Sequence, residues 1–144
     1  MAFFFGNQSL KQLDTCRDDL QKVAKYALQH SPYDFSIIEG HRSLERQNML
    51  YRNGLSKIDG VVVKSRHNYE PAEAFDFMPY PGILNNISVW NEKPRWYMIA
   101  GIILSAGEAC KISLRWGGDW DGDGSTKDQT FHDLGHFELR RTHA

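Results

Sequence analysis

The stretch Ala74-Phe75-Asp76-Phe77-Met78 places one carboxylate among apolar and aromatic residues. Its composition predicts a short β-strand, which Pro79 and Pro81 end. A carboxylate inside such a strand needs a partner, because an unpaired buried charge is energetically costly. The stretch therefore predicts a strand of the core sheet and a charged partner for Asp76.

Apolar residues at helical spacing predict helices on both sides of this strand. The predicted helices cover residues 7–30, 43–53 and 96–110. The other predicted strands cover residues 35–39, 61–63, 111–116 and 137–140. Helices and mostly antiparallel strands in this order predict an α+β fold, with a small sheet and helices packed on it. We expect a single domain over residues 1–144.

The composition of the chain excludes several classes of protein. A chain of 144 residues is long enough to bury its own core, and its net charge of -1 gives no electrostatic support for binding nucleic acid or an anionic membrane. No stretch approaches the ~20 apolar residues of a membrane span. Residues 1–6 are apolar but lack the basic region of a signal peptide. Cys16 and Cys110 lie in predicted helices without CxxC spacing, and we expect them to be reduced, buried thiols.

Two histidines complete a possible zinc site with Asp76. Hydrolytic zinc sites use three protein ligands, drawn from histidine nitrogen and carboxylate oxygen. His67 lies in the long predicted loop over residues 55–73, and His136 stands at the start of the last predicted strand. Asp133, three residues earlier, is suited to take a proton from the attacking water and pass it to the leaving amine. These residues predict a hydrolytic zinc centre with His67, Asp76 and His136 as ligands and Asp133 as general base.

The segment His132-Asp133-Leu134-Gly135-His136 offers a second arrangement. It has the histidine spacing of an H-E-x-x-H zinc motif, with aspartate in place of glutamate. That motif requires a helix to bring both histidines to one face. Gly135 and the alternating pattern that follows favour a strand, so His132 is expected to be a neighbour of the site.

The segment Asp119-Trp120-Asp121-Gly122-Asp123-Gly124 matches the first half of an EF-hand loop. Asp119, Asp121 and Asp123 stand at positions one, three and five, and Gly124 stands at the sharp turn. Carboxylate oxygens suit calcium, which is a hard cation. The segment predicts a calcium site, and a solvated acidic turn is the alternative.

The second half of this loop departs from the EF-hand pattern. Ser125 would supply a backbone carbonyl, but Thr130 stands where an EF-hand has its bidentate glutamate. Asp128 could compensate in part. We hypothesise that calcium orders this loop and thereby sets the position of Asp133, which follows closely in sequence.

Together these motifs resemble the LAS-type zinc peptidases, and most closely their phage L-alanyl-D-glutamate endopeptidase branch. The resemblance rests on Ser65-x-His67, Ala74-x-Asp76, Asp133-x-x-His136-Phe137-Glu138, the segments 35–43, 54–57 and 116–120, and Gln47. It implies a Hedgehog/DD-peptidase-like fold, with zinc on His67, Asp76 and His136 and with Asp133 as the base. It further implies that Arg42 stabilises the oxyanion.

The resemblance also implies that Ser65 and Gln47 contact the substrate backbone. One departure from the family pattern lies between His67 and Asp76, where this chain has two extra residues and no glycine. Either Glu70 or Glu73 in this insertion could replace Asp76 as a ligand, although the apolar surroundings favour Asp76.

The resemblance implies a phage endolysin that cleaves peptidoglycan stem peptides. Such an enzyme would stay in the host cytoplasm until a holin-type protein released it to the cell wall, and we expect a monomer without membrane insertion. Two alternatives remain open at this point. One is a D-Ala-D-Ala carboxypeptidase with the same metal chemistry, and the other is a non-catalytic, metal-stabilised module that binds the cell wall.

Overall fold

The computed structural model describes residues 2–127 and 132–140. Its helices are α1 (Asn7–Leu13), α2 (Asp18–Gln29), α3 (Leu44–Arg52) and α4 (Lys93–Cys110). Its strands are β1 (Phe35–Glu39), β2 (Ala74–Pro79), β3 (Ile83–Leu84), β4 (Ile87–Ser88), β5 (Leu114–Gly117) and β6 (Asp133–Leu139). Asp128 and Thr130, which bear on the calcium prediction, lie outside the described residues. No helix within the described ranges is long and apolar enough to span a bilayer.

Four strands form one antiparallel sheet in the order β1-β2-β6-β5. The two central strands are β2 and β6, and Asp76 is directly opposite His136 in their register. One face of the sheet packs against α4, which in turn packs against α2. The architecture confirms the predicted α+β class.

The predicted strand around Asp76 is confirmed, and it has two unlike faces. Phe75 and Phe77 point into the core and are fully buried. Phe137 on β6 lies beside them, with ring centroids 5.8 Å from Phe75 and 5.9 Å from Phe77. Because side chains alternate along a strand, Asp76 lies on the opposite face, where the sheet borders a cleft.

The predicted single helix over residues 7–30 is wrong, because it is broken into α1 and α2. The connection pairs with a distant segment: Arg17 N–H donates to the Ala72 carbonyl, and Ala72 N–H donates to the Thr15 carbonyl, each at 2.9 Å. A continuous helix would use those backbone groups internally. Cys16 therefore lies in the connection and is buried, whereas Cys110 at the end of α4 is only half-buried; both are free thiols.

The predicted strand over residues 61–63 is also wrong. The Asp59 carboxylate accepts hydrogen bonds from the N–H groups of Val61, Val62 and Val63 at 2.9, 3.0 and 3.2 Å. A side chain that binds nearby backbone groups in this way competes with strand pairing. The three valines are exposed.

Two further elements differ from expectation. The hairpin of β3 and β4 was not predicted; its turn residues Asn85 and Asn86 have φ angles of 53° and 66°, which asparagine tolerates better than most residues. The last strand begins at Asp133 rather than at residue 137, so His136 lies in its middle.

Candidate metal centre

His67, Asp76 and His136 meet in a triangle of three ligand atoms. His67 Nε2 lies 3.2 Å from Asp76 Oδ1 and 3.2 Å from His136 Nδ1, and the third side, from His136 Nδ1 to Asp76 Oδ1, is 3.3 Å. A tetrahedral zinc ion with bonds of about 2.0–2.1 Å spaces its ligand atoms about 3.3–3.4 Å apart. The triangle therefore fits zinc, and the side chains need no rearrangement to hold it.

The loop that carries His67 is fixed by its own hydrogen bonds. Ser65 begins a short 3-10 helix, Arg66–Asn68: its Oγ accepts from His67 N–H at 3.2 Å, and its own N–H donates to Asn68 Oδ1 at 2.8 Å. Asn68 also donates to the Arg42 carbonyl at 2.9 Å. The position of His67 thus depends on local capping and on the segment that carries Arg42.

Each histidine uses its second nitrogen to set its orientation. His67 Nδ1–H donates to the Gly40 carbonyl at 2.7 Å, which leaves Nε2 toward the metal position. His136 Nε2–H donates to Glu138 Oε1 at 2.9 Å, which leaves Nδ1 toward it. Partners of this kind orient metal-bound histidines and make them more basic. The role of Glu138 was missed from the sequence, although its two-residue spacing from His136 on an alternating strand was a usable signal.

Glu138 is itself held by two arginine side chains. It is buried, and its Oε2 lies 3.6 Å from an Arg66 nitrogen and 3.7 Å from an Arg115 nitrogen. Burial would raise the pKa of the Glu138 carboxyl, but the hydrogen bond from His136 and the nearby positive charges lower it. Glu138 is therefore ionised and able to stabilise a positive centre at His136.

The protonation states of the ligands follow from the same contacts. Burial alone would raise the pKa of Asp76, but the charges and hydrogen bonds of His67 and His136 hold it well below its usual range. Burial disfavours the charged form of His136, yet hydrogen bonds with Asp76 and Glu138 raise its pKa to about 10. Without a cation the cluster keeps a proton on His136, and metal binding must displace that proton.

Arg42 borders the same cleft with its guanidinium almost fully used. It pairs with Glu39, donates to Gln47 Oε1 at 2.8 Å and reaches Asp76 Oδ2 at 3.5 Å. Gln47 is completely buried, and its amide nitrogen donates to Ser56 Oγ and the Ile58 carbonyl. Gln47 therefore lies behind Arg42 and orients it rather than facing the cleft, where it was expected to contact substrate. Ser65, by contrast, does line the cleft.

Asp133 lies at the start of β6 and lines the cleft with the three ligands. Burial and the negative charge of Asp76 raise the pKa of the Asp133 carboxyl, while the positive charges around it act in the opposite direction. A raised pKa brings a carboxyl closer to the range in which it both accepts and returns protons.

The alternative ligand sets do not assemble. His132 is exposed and precedes a strand, so a four-residue separation places it about 13 Å from His136 along the chain. Glu70 is exposed and lies 3.8 Å from His41, and Glu73 pairs with Arg66 at 3.1 Å.

The acidic loop also brings its carboxylates together. Asp119, Asp121 and Asp123 each offer an oxygen within 4.8 Å of the others. Asp119 Oδ1 is buried and accepts no hydrogen bond within the described part of the chain. Trp120, between the first two aspartates, packs its ring 5.5 Å from the His136 ring. The loop is thus in contact with the zinc-site candidate through one side chain.

Known proteins resemble this chain over most of its length. A family model described as phage L-alanyl-D-glutamate peptidase matches residues 1–140. The chain is 37% identical over 142 residues to the L-alanyl-D-glutamate peptidase of Escherichia phage T5, covering 96% of this chain and 99% of that protein. It is 28% identical over 128 residues to the peptidoglycan L-alanyl-D-glutamate endopeptidase CwlK of Bacillus subtilis, covering 80% of this chain and 66% of that one.

The fold has a solved relative as well. The crystal structure of the Serratia marcescens L-Ala D-Glu endopeptidase ChiX matches with a TM-score of 0.74 and 30% sequence identity. The match covers 95% of this chain and 90% of that chain.

Proposed function

Because the chain belongs to the phage L-alanyl-D-glutamate peptidase family, we propose that it is a zinc-dependent endopeptidase that cuts the L-alanyl-D-glutamate bond of peptidoglycan stem peptides. The observation that carries this proposal is the triangle of His67, Asp76 and His136 with its supporting contacts from Gly40 and Glu138. Two nitrogens and one carboxylate oxygen are a donor set that zinc prefers in hydrolytic sites.

The residues around the triangle supply the remaining chemistry. Zinc, when bound, would act as a Lewis acid and lower the pKa of water in the cleft. The Asp133 carboxylate takes a proton from the attacking water and passes it to the leaving nitrogen. Arg42, fixed by Glu39 and Gln47, stabilises the negative charge that develops on the scissile carbonyl oxygen.

The test combines metal content with product analysis on purified sacculi. We expect about one zinc per chain and, by mass spectrometry, peptides that begin with D-glutamate. Release of terminal D-alanine alone would instead support a D-Ala-D-Ala carboxypeptidase. Zinc and wall binding without any product would support the non-catalytic module.

The role of Asp133 is tested by Asp133→Ala. We expect zinc to be retained and kcat to fall by about 10²–10⁴. Glu70→Ala is the matched control, because its side chain is 80% exposed and lies outside the triangle. Full activity of zinc-loaded Asp133→Ala would refute the mechanism.

We also propose that calcium binds Asp119, Asp121 and Asp123 and modulates activity. Support comes from the converging carboxylates and from the Asp119 oxygen that accepts no hydrogen bond from a described residue. Trp120 gives a physical route to the zinc ligand His136. Titration of calcium into zinc-loaded enzyme tests this proposal, and constant activity across the millimolar range would refute the modulation.

In the lytic cycle, we propose that the chain acts as an endolysin. It would accumulate in the host cytoplasm as a monomer and reach the wall after a holin-type protein opened the membrane. If cells that express the chain lyse only when such a membrane lesion is also supplied, this order of events is supported.

A further inference from the structure

The proposed substrate carries a negative charge close to the scissile bond. A D-glutamyl residue has two carboxyl groups, and only one of them continues the peptide chain. The other is left on the residue whose nitrogen departs. An enzyme of the proposed function therefore has a carboxylate to recognise beside its reaction centre, and the cleft should offer a cation for it.

The cleft does contain an excess of cations, although the whole chain has a net charge of -1. The cleft has a volume of about 610 Å³, and basic residues outnumber acidic ones among the residues that line it. The basic residues are Arg42, Arg46, Lys57, Lys64, Arg66 and Arg115. The question is which of them has a charge that is not already used.

The arginines are committed to acids of the protein. Arg42 and Arg46 both pair with Glu39. Arg66 is bound to Glu73 and also donates to the Leu139 carbonyl at 3.1 Å. These side chains are fixed by contacts that a substrate carboxylate would have to displace.

Arg115 and Lys57 are engaged as well. Arg115 lies 3.7 Å from Glu138, donates to the Trp120 carbonyl at 3.0 Å and stacks its guanidinium 4.9 Å from the Trp120 ring centroid. Lys57 also takes part in a polar, electrostatic or ring contact within the protein.

Lys64 differs from the four arginines. It has no acidic partner among residues 2–127 and 132–140, and its ammonium lies 5.7 Å from the centre of the Tyr69 ring. Its backbone directly precedes Ser65, whose hydrogen bonds to His67 and Asn68 fix the loop of the first zinc ligand. An exposed ammonium is therefore held at the cleft, three residues before that ligand, with its charge available.

We propose that Lys64 binds the second carboxylate of the D-glutamyl residue and so determines specificity for this residue; this inference rests on the proposed function. An ammonium is a compact charge with three donors, suited to a carboxylate that approaches from solvent. Because Lys64 is exposed, one such contact is expected to change kcat/KM by about tenfold, mainly through KM.

The experiment compares two synthetic peptides: L-alanyl-γ-D-glutamyl-L-lysine and its counterpart in which the free α-carboxyl is a carboxamide. For the zinc-loaded enzyme we expect kcat/KM to favour the carboxylate peptide by about tenfold. In Lys64→Met this ratio should fall to about one. Lys57→Met is the matched control, because it removes the same charge from the same cleft and should keep the ratio of the unsubstituted enzyme.

Four outcomes would count against the proposal. A ratio near one in the unsubstituted enzyme, or an unchanged ratio in Lys64→Met, would overturn the role of Lys64 and leave the proposed function standing. An equal fall of the ratio in both variants would replace a specific contact with general electrostatic attraction. If the unsubstituted enzyme cut neither these peptides nor sacculi, the proposed function itself would fail, and this inference with it.

Discussion

Replacing Glu138 with alanine should weaken zinc binding without removing any of the three proposed zinc ligands. Glu138 accepts the Nε2–H of His136 at 2.9 Å, so it both orients the ring and makes Nδ1 a stronger donor to the metal. Loss of such a partner commonly costs about 10–100-fold in metal affinity. Glu138 also helps to hold the competing proton, since its hydrogen bond is one reason that the pKa of His136 is raised to about 10. Removing Glu138 therefore weakens the bond from Nδ1 to zinc and also weakens the binding of the proton that competes with zinc. We expect a net loss of zinc affinity of about tenfold, or about 1.4 kcal/mol, near neutral pH.

The assay is a competition titration of zinc-free protein against a chromophoric chelator of known affinity. Glu73→Gln is the matched control. Glu73 pairs with Arg66 at 3.1 Å, just as Glu138 pairs with it at 3.6 Å, but Glu73 is neither a member of the triangle nor the acceptor that orients His67 or His136. Its zinc affinity should stay within about twofold of the unsubstituted chain.

Thermal unfolding of the zinc-free proteins separates a local effect from loss of the fold. Glu138 is buried between two arginines, so its removal is expected to lower stability to some extent. If Glu138→Ala remained folded and bound zinc as tightly as the unsubstituted chain, the reasoning about the orientation of His136 would be refuted.

Three further predictions follow from the same geometry. Arg42→Lys should keep zinc but lower kcat by about 10²–10³, because lysine cannot reproduce the fork that contacts Glu39 and Gln47; unchanged kcat in steady-state assays would contradict this. The pKa of His136 is raised to about 10, so near neutral pH its ring carries a proton that zinc must displace. Apparent zinc affinity, measured by chelator competition, should therefore rise about tenfold per pH unit from about pH 7 to about pH 9. An affinity that did not change with pH would show that zinc displaces no proton. Burial raises the pKa of Cys16 to about 11, so a maleimide at about pH 8 should label half-buried Cys110 and spare Cys16 until the chain is unfolded; rapid labelling of both would show that Cys16 is accessible.

The parts of the site that could be predicted are those whose signal is local in sequence. Asp76 was recognisable because a carboxylate in an apolar strand requires a partner, and β2 is found where it was expected. The break between α1 and α2 was not recognisable, because it depends on pairing between Thr15, Arg17 and the distant Ala72. The apolar spacing over residues 7–30 continues across the break and carries no trace of that pairing.

The residues that support the candidate ligands also fall into those with a local sequence signal and those without one. Glu138 had a local signal in the alternation of β6, which places it on the same face as His136. Gln47 had none, because a glutamine on a short helix gives no indication that its amide will be buried between Arg42 and the Ile58 carbonyl. Long-range hydrogen bonds of this kind follow from packing, which sequence periodicity does not encode.

The contacts that hold His67 and Asp76 in place lie outside the segment that connects them. Asp76 is held by the register of β2 with β6, where it lies opposite His136. His67 is held by other contacts. Its ring bonds to the Gly40 carbonyl, its N–H bonds to Ser65 Oγ, and its backbone carbonyl accepts a hydrogen bond from Arg42 N–H at 2.8 Å. None of these contacts depends on the number of residues between the two ligands. Their ligand atoms therefore lie 3.2 Å apart through contacts that other parts of the chain supply.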